Sequence, residues 1–241
     1  MKNLFKLGFL SLLLAVFVVS CKETETIPEV LKLYSLTEKV GNYGYVELLE
    51  ANTKWIFSIP LDKKSPLNDP DGAFHAASLQ PLPDVMILMG TQEGKSNRTI
   101  TIPSGKYVYL PLVFSSYWHY ANDKCDPTFQ PAAGQTLEAF LLGLTKDAMD
   151  DSKKMTAKLD GVEIVPDLTK YRVKTKAFTM LIANDFNTPA CDYSKQNATV
   201  ASEGFALLMK IPKGKHTLTY NTQFDSDPVP HQADTWNLIV E

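Results

Sequence analysis

Between Arg98 and Phe114 the chain reads Arg-Thr-Ile-Thr-Ile-Pro-Ser-Gly-Lys-Tyr-Val-Tyr-Leu-Pro-Leu-Val-Phe, two strand-like runs on either side of Pro103-Ser104-Gly105. In the first run Ile100 and Ile102 alternate with Thr99 and Thr101, so one face of a strand meets a core and the other meets water. In the second, Tyr107 to Phe114 is apolar at nearly every position, the pattern of a central strand covered on both faces. Pro103 fixes its own φ and offers no donor, while Gly105 tolerates positive φ, so the pattern predicts a tight turn and a central hairpin. The device recurs at Ile211-Pro212-Lys213-Gly214-Lys215, between the runs Phe205 to Lys210 and His216 to Gln223. A repeat this short reads as a corner that a β-sandwich uses more than once, not as an internal duplication.

The remaining chain supports a mainly β reading. Leu48, Leu49, Ala51, Trp55, Ile56 and Ile59 approximate one helical face over Tyr45 to Ser58, and Pro60 stops it. Leu61 to Leu82, rich in Pro, Asp, Asn and Ser, reads as a long irregular loop, followed by a short strand Val85 to Met89. Thr136 caps a second predicted helix with an apolar stripe of Leu137, Phe140, Leu141, Leu144 and Ala148. Asp147, Asp150 and Asp151 oppose that helix's dipole, so its end is expected to fray. Asp160-Gly161 between Met155–Leu159 and Val162–Val165 is a hairpin signal. Tyr171 to Ala183 reads as a longer strand region, Asn184 to Thr199 as polar loop, and Thr235 to Val240 as a closing strand. The predicted fold is a β-sandwich, jelly-roll-like, with two short helical additions.

The N-terminus carries an address. Lys2 and Lys6 precede an uninterrupted apolar run from Leu7 to Val19, the basic and hydrophobic regions of an export signal, too short for a comfortable membrane span. Val18-Val19-Ser20-Cys21 resembles a bacterial lipobox. That resemblance implies cleavage after residue 20, lipidation of Cys21 on its thiol, and stable attachment to a membrane through several acyl chains. The expected organisation is therefore a signal peptide at 1–20, a lipidated cysteine with tether and lead-in at 21–43, and one sandwich domain at 44–241. The acids of Lys22 to Pro28 resemble the short signals that send lipoproteins of some Gram-negative groups to the outer face of the outer membrane.

Losing Lys2 and Lys6 takes the formal charge from −3 to about −5, which excludes nucleic acid as a natural partner. Of the 3 cysteines, Cys125 and Cys191 remain as an even pair in an oxidising compartment, both among loop-type residues. A disulfide between them would contribute roughly 4 kcal/mol by loop entropy; the other reading is two free buried thiols.

Several further elements resemble a family of exported bacterial proteins without an assigned activity. They are Trp55 with Ser58-Ile59-Pro60, Asn68 to Gly72, Gly90, Arg98, Ile102 to Lys106 and Pro111, then Asp160-Gly161, Tyr171-Arg172-Val173, Phe178, Gly204-Phe205, Pro212, Gly214 and His216. The resemblance spans most of the chain after the signal and implies one continuous β-rich domain. It implies nothing about substrate. The segment 115–135 departs from the family pattern, as does Asn-Asp-Pro at 68–70 where the family tends to Asn-Pro.

As a ligand site, Tyr117, Trp118, His119 and Tyr120 followed by Asp123 offer ring faces for sugar C–H surfaces beside polar groups for hydroxyls. The plainer reading is a strand end whose alternate residues enter the core. His119 with Asp123 is the pair that a small secreted hydrolase would need as base and orienter, although no nucleophile is marked. His75, His119, His216 and His231 lack ligand spacing for zinc, and Asp69, Asp71 and Gly72 read as a turn and not a calcium loop, so no metal or cofactor is expected. Arg98 and Arg172 read as partners of buried acids. Together these features point to a lipid-anchored, non-catalytic envelope module that binds glycan or protein.

Overall fold

The computed structural model describes residues 30–92, 94–121, 123, 125–152, 154–187, 192–193, 196–226 and 230–241. The signal segment, Cys21 and Cys191 lie outside the described residues. Among the described residues eleven strands and two α-helices follow one another as β1 (Lys32–Leu33), α1 (Tyr45–Phe57), β2 (Val85–Ile87), β3 (Lys95–Ile102), β4 (Tyr107–His119), α2 (Leu137–Asp151), β5 (Lys154–Leu159), β6 (Val162–Glu163), β7 (Arg172–Lys174), β8 (Phe178–Leu181), β9 (Asn197–Lys210), β10 (Gly214–Gln223) and β11 (Pro230–Val240). The fold is mainly β, as the alternation and turn signals predict.

The strands form two sheets. One runs β1-β9-β4-β2, with β7 and β8 also pairing β9; the other runs β3-β11-β10-β5-β6. The pairs β2–β4 and β3–β11 are parallel, so both sheets are mixed. Their inner faces meet in one core, with Val108, Leu110, Leu207 and Met209 from the first sheet against Ile100, Ile102, Leu218 and Leu238 from the second. The first sheet is covered on its other face as well. There Val85, Ile87, Tyr109, Ala206 and Leu208 pack with Tyr45, Leu48, Leu49 and Trp55 of α1. That double cover explains why β4 and β9 lack a polar face.

The expected central hairpin is corrected. β3 belongs to the five-stranded sheet and β4 to the six-stranded one, so Pro103-Ser104-Gly105 carries the chain from one sheet across to the other. Lys106 N–H closes the turn on Pro103 O at 3.2 Å, and Gly105 has φ 87°. The second Ile-Pro-x-Gly-Lys is the same device run backwards, from β9 in the first sheet to β10 in the second. Both corners lie at one end of the sandwich, sharing a small cavity with the C-terminal Val240 and Glu241. β1 enters at that end too, with Lys32 opposite Lys210.

α1 begins where Glu47 Oε2 accepts the Gly44 N–H at 2.8 Å and ends at Ser58, two residues before Pro60. In α2 the Thr136 hydroxyl accepts Ala139 N–H at 3.1 Å, the predicted cap. Its buried stripe is Leu141, Thr145 and Met149. The expected fraying is absent because Asp150 is clamped by Lys146 and by Arg172 Nη1, the latter at 2.5 Å, while Asp151 accepts the Ser226 N–H at 3.1 Å. Asp160-Gly161 forms the predicted turn between β5 and β6, with φ 52° and 80°.

Three boundaries move. Tyr34 and Val40 are buried against the first sheet, so the body starts before residue 44. Tyr171–Ala183 is two short strands that both lie on β9, and the polar loop ends earlier than expected because β9 starts at Asn197. At the middle of β9, a Cβ on Gly204 would stand 2.6 Å from Val113 O and from Phe114 Cβ. Gly204→Ala therefore forces the β4–β9 pair apart, and urea unfolding should report a loss of about 1–3 kcal/mol.

Candidate functional site

The inner face of the second sheet changes character along its length. The alternation of β3 turns Ser96, Arg98, Ile100 and Ile102 inward, and register pairs Ser96 with Asp234 and Arg98 with Trp236 on β11. Toward the two corners this face is aliphatic. Toward the beginning of β3 it is polar, and Arg98 and Asp234 sit there with side chains 0% exposed. Arg98 Nη2 donates to Asp234 Oδ1 at 3.2 Å, and the Ser96 hydroxyl donates to the same oxygen. The guanidinium lies 3.7 Å from the Trp236 ring centre, a cation–π contact in a desolvated place. Removing either charge would strand its partner, at a cost of about 3–5 kcal/mol.

Facing this pair is the segment read from sequence as irregular loop. It holds three short 3-10 turns, Pro66–Asn68, Ala73–His75 and Ala77–Leu79. Gly72 takes φ 101°, and its missing Cβ leaves room for Thr99 O and Ile100. Asp69 organises the loop: Oδ1 accepts the Gly72 N–H at 3.0 Å, and Oδ2 accepts those of Phe74 and His75 at 3.1 and 3.2 Å and lies 2.5 Å from His75 Nδ1. Burial raises the Asp69 pKa, but the His75 bond and these N–H groups outweigh it and hold the carboxyl below its usual range.

Burial drives the His75 pKa from 6.5 down to about 4, only partly opposed by Asp69. The imidazole is neutral, with Nδ1–H donated to Asp69 and Nε2 accepting Met89 N–H at 3.3 Å. Both ring nitrogens are thereby spent on positioning. The ring stands edge-on to Trp55 of α1 at 5.3 Å and to Trp236 at 4.8 Å. Trp55, His75, Trp236 and Arg98 form a ladder that joins helix, loop and second sheet. Arg172 behaves as expected of a lone strand cation, pairing with Glu203 and Asp150.

Beside the ladder lies a cavity of about 530 Å³ between the loop and the first residues of β3. Asn68, Asp69, Thr91, Lys95, Ser96 and Asn97 give it a polar lining, with Leu67 and Pro70 as its apolar part. Thr91 is 6% exposed and its hydroxyl has no partner in the protein. Arg98 Nε and Nη1 behind it are likewise without protein partners. The sequence signal for this region was Arg98 itself, a charge on the apolar side of an alternating strand. Asp69 and His75 carried no such signal, because loop residues have no period.

The aromatic stretch chosen from sequence is divided by the pleat of β4. Trp118 and Tyr120 turn to the α1 side, donating to Asn187 Oδ1 at 3.3 and 3.0 Å, and Tyr120 stacks on Tyr193 at 4.0 Å. His119 turns the other way, is 6% exposed, and places Nε2 3.0 Å from Gln130 Oε1. Tyr117 is exposed. Asp123 accepts the amides of Cys125 and Asp126 at 2.8 and 2.9 Å and the Tyr193 hydroxyl. His119 and Asp123 make no hydrogen bond to each other, and the four rings present no common platform. The plainer reading of this stretch, a strand end feeding the core, is the one that the geometry follows.

No protein-family model matches the chain, and no curated protein matches it. A solved structure titled "Solution Structure of Amebosin" matches at 10% identity, covering 66% of this chain and 100% of that one, with a TM-score of 0.21. A likeness that low carries no argument here.

The buried imidazole makes stability depend on pH. His75 has a lower pKa folded than unfolded, so the unfolded chain binds the extra proton between about pH 6.5 and 4. Stability is full above that window and falls through it by about 3 kcal/mol. Denaturant titrations at pH 7.5 and 4.5 should show this loss, and His75→Gln, less stable at pH 7.5, should show a flatter profile.

Proposed function

We propose that this chain is a lipid-anchored cell-envelope protein, held at the outer membrane through Cys21, whose domain is a non-catalytic module for binding a glycan or protein ligand. The observation that carries the reading is the polar cavity at the start of β3, lined by hydroxyl, amide and ammonium groups and backed by a fixed ladder of side chains. Three histidines that could serve turnover are engaged elsewhere. His75 spends both nitrogens on Asp69 and Met89, His216 on Asp160 and Pro212 O, and His119 Nε2 faces Gln130. A polar recess next to imidazoles already engaged suits recognition better than bond cleavage.

The rival reading, a small secreted hydrolase using His119 and Asp123, lacks the hydrogen bond that would orient the base. Glycan arrays and hydrolysis assays on the purified full chain separate the two. Binding without turnover is expected; turnover abolished in His119→Ala at unchanged melting temperature would replace binding by catalysis. For the anchor, Cys21→Ala should move the protein from the membrane to the soluble fraction.

A Cys125–Cys191 disulfide belongs to the same proposal. Its support is local: Tyr193, two residues beyond Cys191, bonds Asp123, two residues before Cys125, so the two loops are already held together. Maleimide added to the denatured, unreduced chain should label neither Cys125 nor Cys191, and reduction should expose both.

A further inference from the structure

We propose that the cavity between the 66–70 turn and the start of β3 is a binding site for a neutral, hydroxyl-rich ligand of monosaccharide size, the terminal or exposed residue of a glycan. This rests on the binding reading above and assigns it a place and a ligand chemistry. The aromatic stretch on β4 takes no part.

Three observations point here. The first is size: about 530 Å³ lies in the range of small-molecule sites. The second is the unused hydrogen-bonding capacity at its wall. Thr91 is over nine-tenths buried, lines the cavity, and leaves its hydroxyl unpartnered in the protein, while its carbonyl is already taken by Gln232 Nε2 at 3.1 Å. Thr91 thus brings to the cavity wall a buried hydroxyl with unused capacity, which a ligand that can both donate and accept would meet. Asn68 donates its amide nitrogen to Leu61 O at 3.0 Å, which leaves the amide oxygen as an acceptor.

The third is the charge pattern. Asp69, the carboxylate of the described lining, is saturated by three backbone amides and His75. Asp234 stands outside that lining, with Oδ1 taken by Arg98 and Ser96 and Oδ2 buried without a partner. Among the described lining residues Lys95 is the cation, and it is exposed, so solvent screens it. The interior thus offers hydroxyl and amide groups, with Leu67 and Pro70 as a small apolar patch for a C–H face. A sugar ring has that combination. A fatty chain or a bare metal ion does not.

The test is calorimetric titration of the purified full chain in detergent with glucose, galactose, N-acetylglucosamine and glucuronate. At least one neutral sugar is expected to bind saturably at one per chain. Thr91→Val, which keeps the shape and removes the hydroxyl, should weaken it about tenfold, and Thr91→Ser should restore it. Tyr117→Ala should leave it unchanged, and Lys95→Met should affect glucuronate more than the neutral sugars. Melting temperatures of all variants guard against loss of fold. Sugar binding that is indifferent to Thr91→Val, or lost in Tyr117→Ala, would overturn this site while leaving the binding reading intact. No heat with any of the four sugars up to tens of millimolar would overturn the ligand class; whether the chain still binds a glycan array or an envelope protein then decides the broader reading separately. Tighter binding of glucuronate than of every neutral sugar, reversed in Lys95→Met, would overturn the neutral assignment.

Discussion

A guanidinium taken wholly out of water sets the terms for one half of this molecule. Arg98 cannot shed its proton, so the interior of the sandwich must supply a counter-charge and a polarisable surface in place of solvent. Asp234 and Trp236 do so from the neighbouring strand. The aromatic face of Trp236 then needs cover, which comes from His75, and His75 in turn is locked by Asp69 and Trp55. A run without helix or strand periodicity thus becomes one of the most tightly specified parts of the chain. Its order comes from hydrogen bonds made by side chains to backbone.

The other half is governed by ordinary burial. β9 makes contacts on both faces, with α1 behind and the second sheet or α2 in front, and its pairing with β1, β4, β7 and β8 makes it the spine of the larger sheet. Its unbroken apolar character between Phe205 and Met209 follows from having no wet side. Some polar residues inside this region come in pairs, as with Thr53 and Ser202 or Thr145 and Glu203, which offsets the cost of burying them; Asn52 and the Tyr109 hydroxyl are buried without a partner in the protein.

How much of this could be read from residues alone depends on period. β3, β4, both helices, the Thr136 cap and the Asp160-Gly161 turn announce themselves because each has a local rule. The destination of a turn has none. Ile-Pro-x-Gly-Lys states that the chain bends, and whether the next strand pairs with the last or crosses to the facing sheet is decided by packing far away in sequence. The candidate site was legible at one residue, Arg98, whose charge interrupts an apolar face. Its partners lie about 30 residues before and 136 after it, beyond the reach of any spacing argument. The stretch from Tyr117 to Tyr120 misled for the opposite reason: four adjacent aromatic residues look like a surface, but the pleat sends neighbours to opposite sides.

The placement of the chain's entry relative to the recess has its own consequence. β1 runs outward past Lys210 at the cornered pole, while Lys95 to Asn97 open the recess at the opposite pole, roughly 25 Å away along β3 at ordinary strand rise. If the chain is held through the leading segment, as proposed, the recess lies at the pole away from the point of entry, facing outward like the bowl of a cup on a stem.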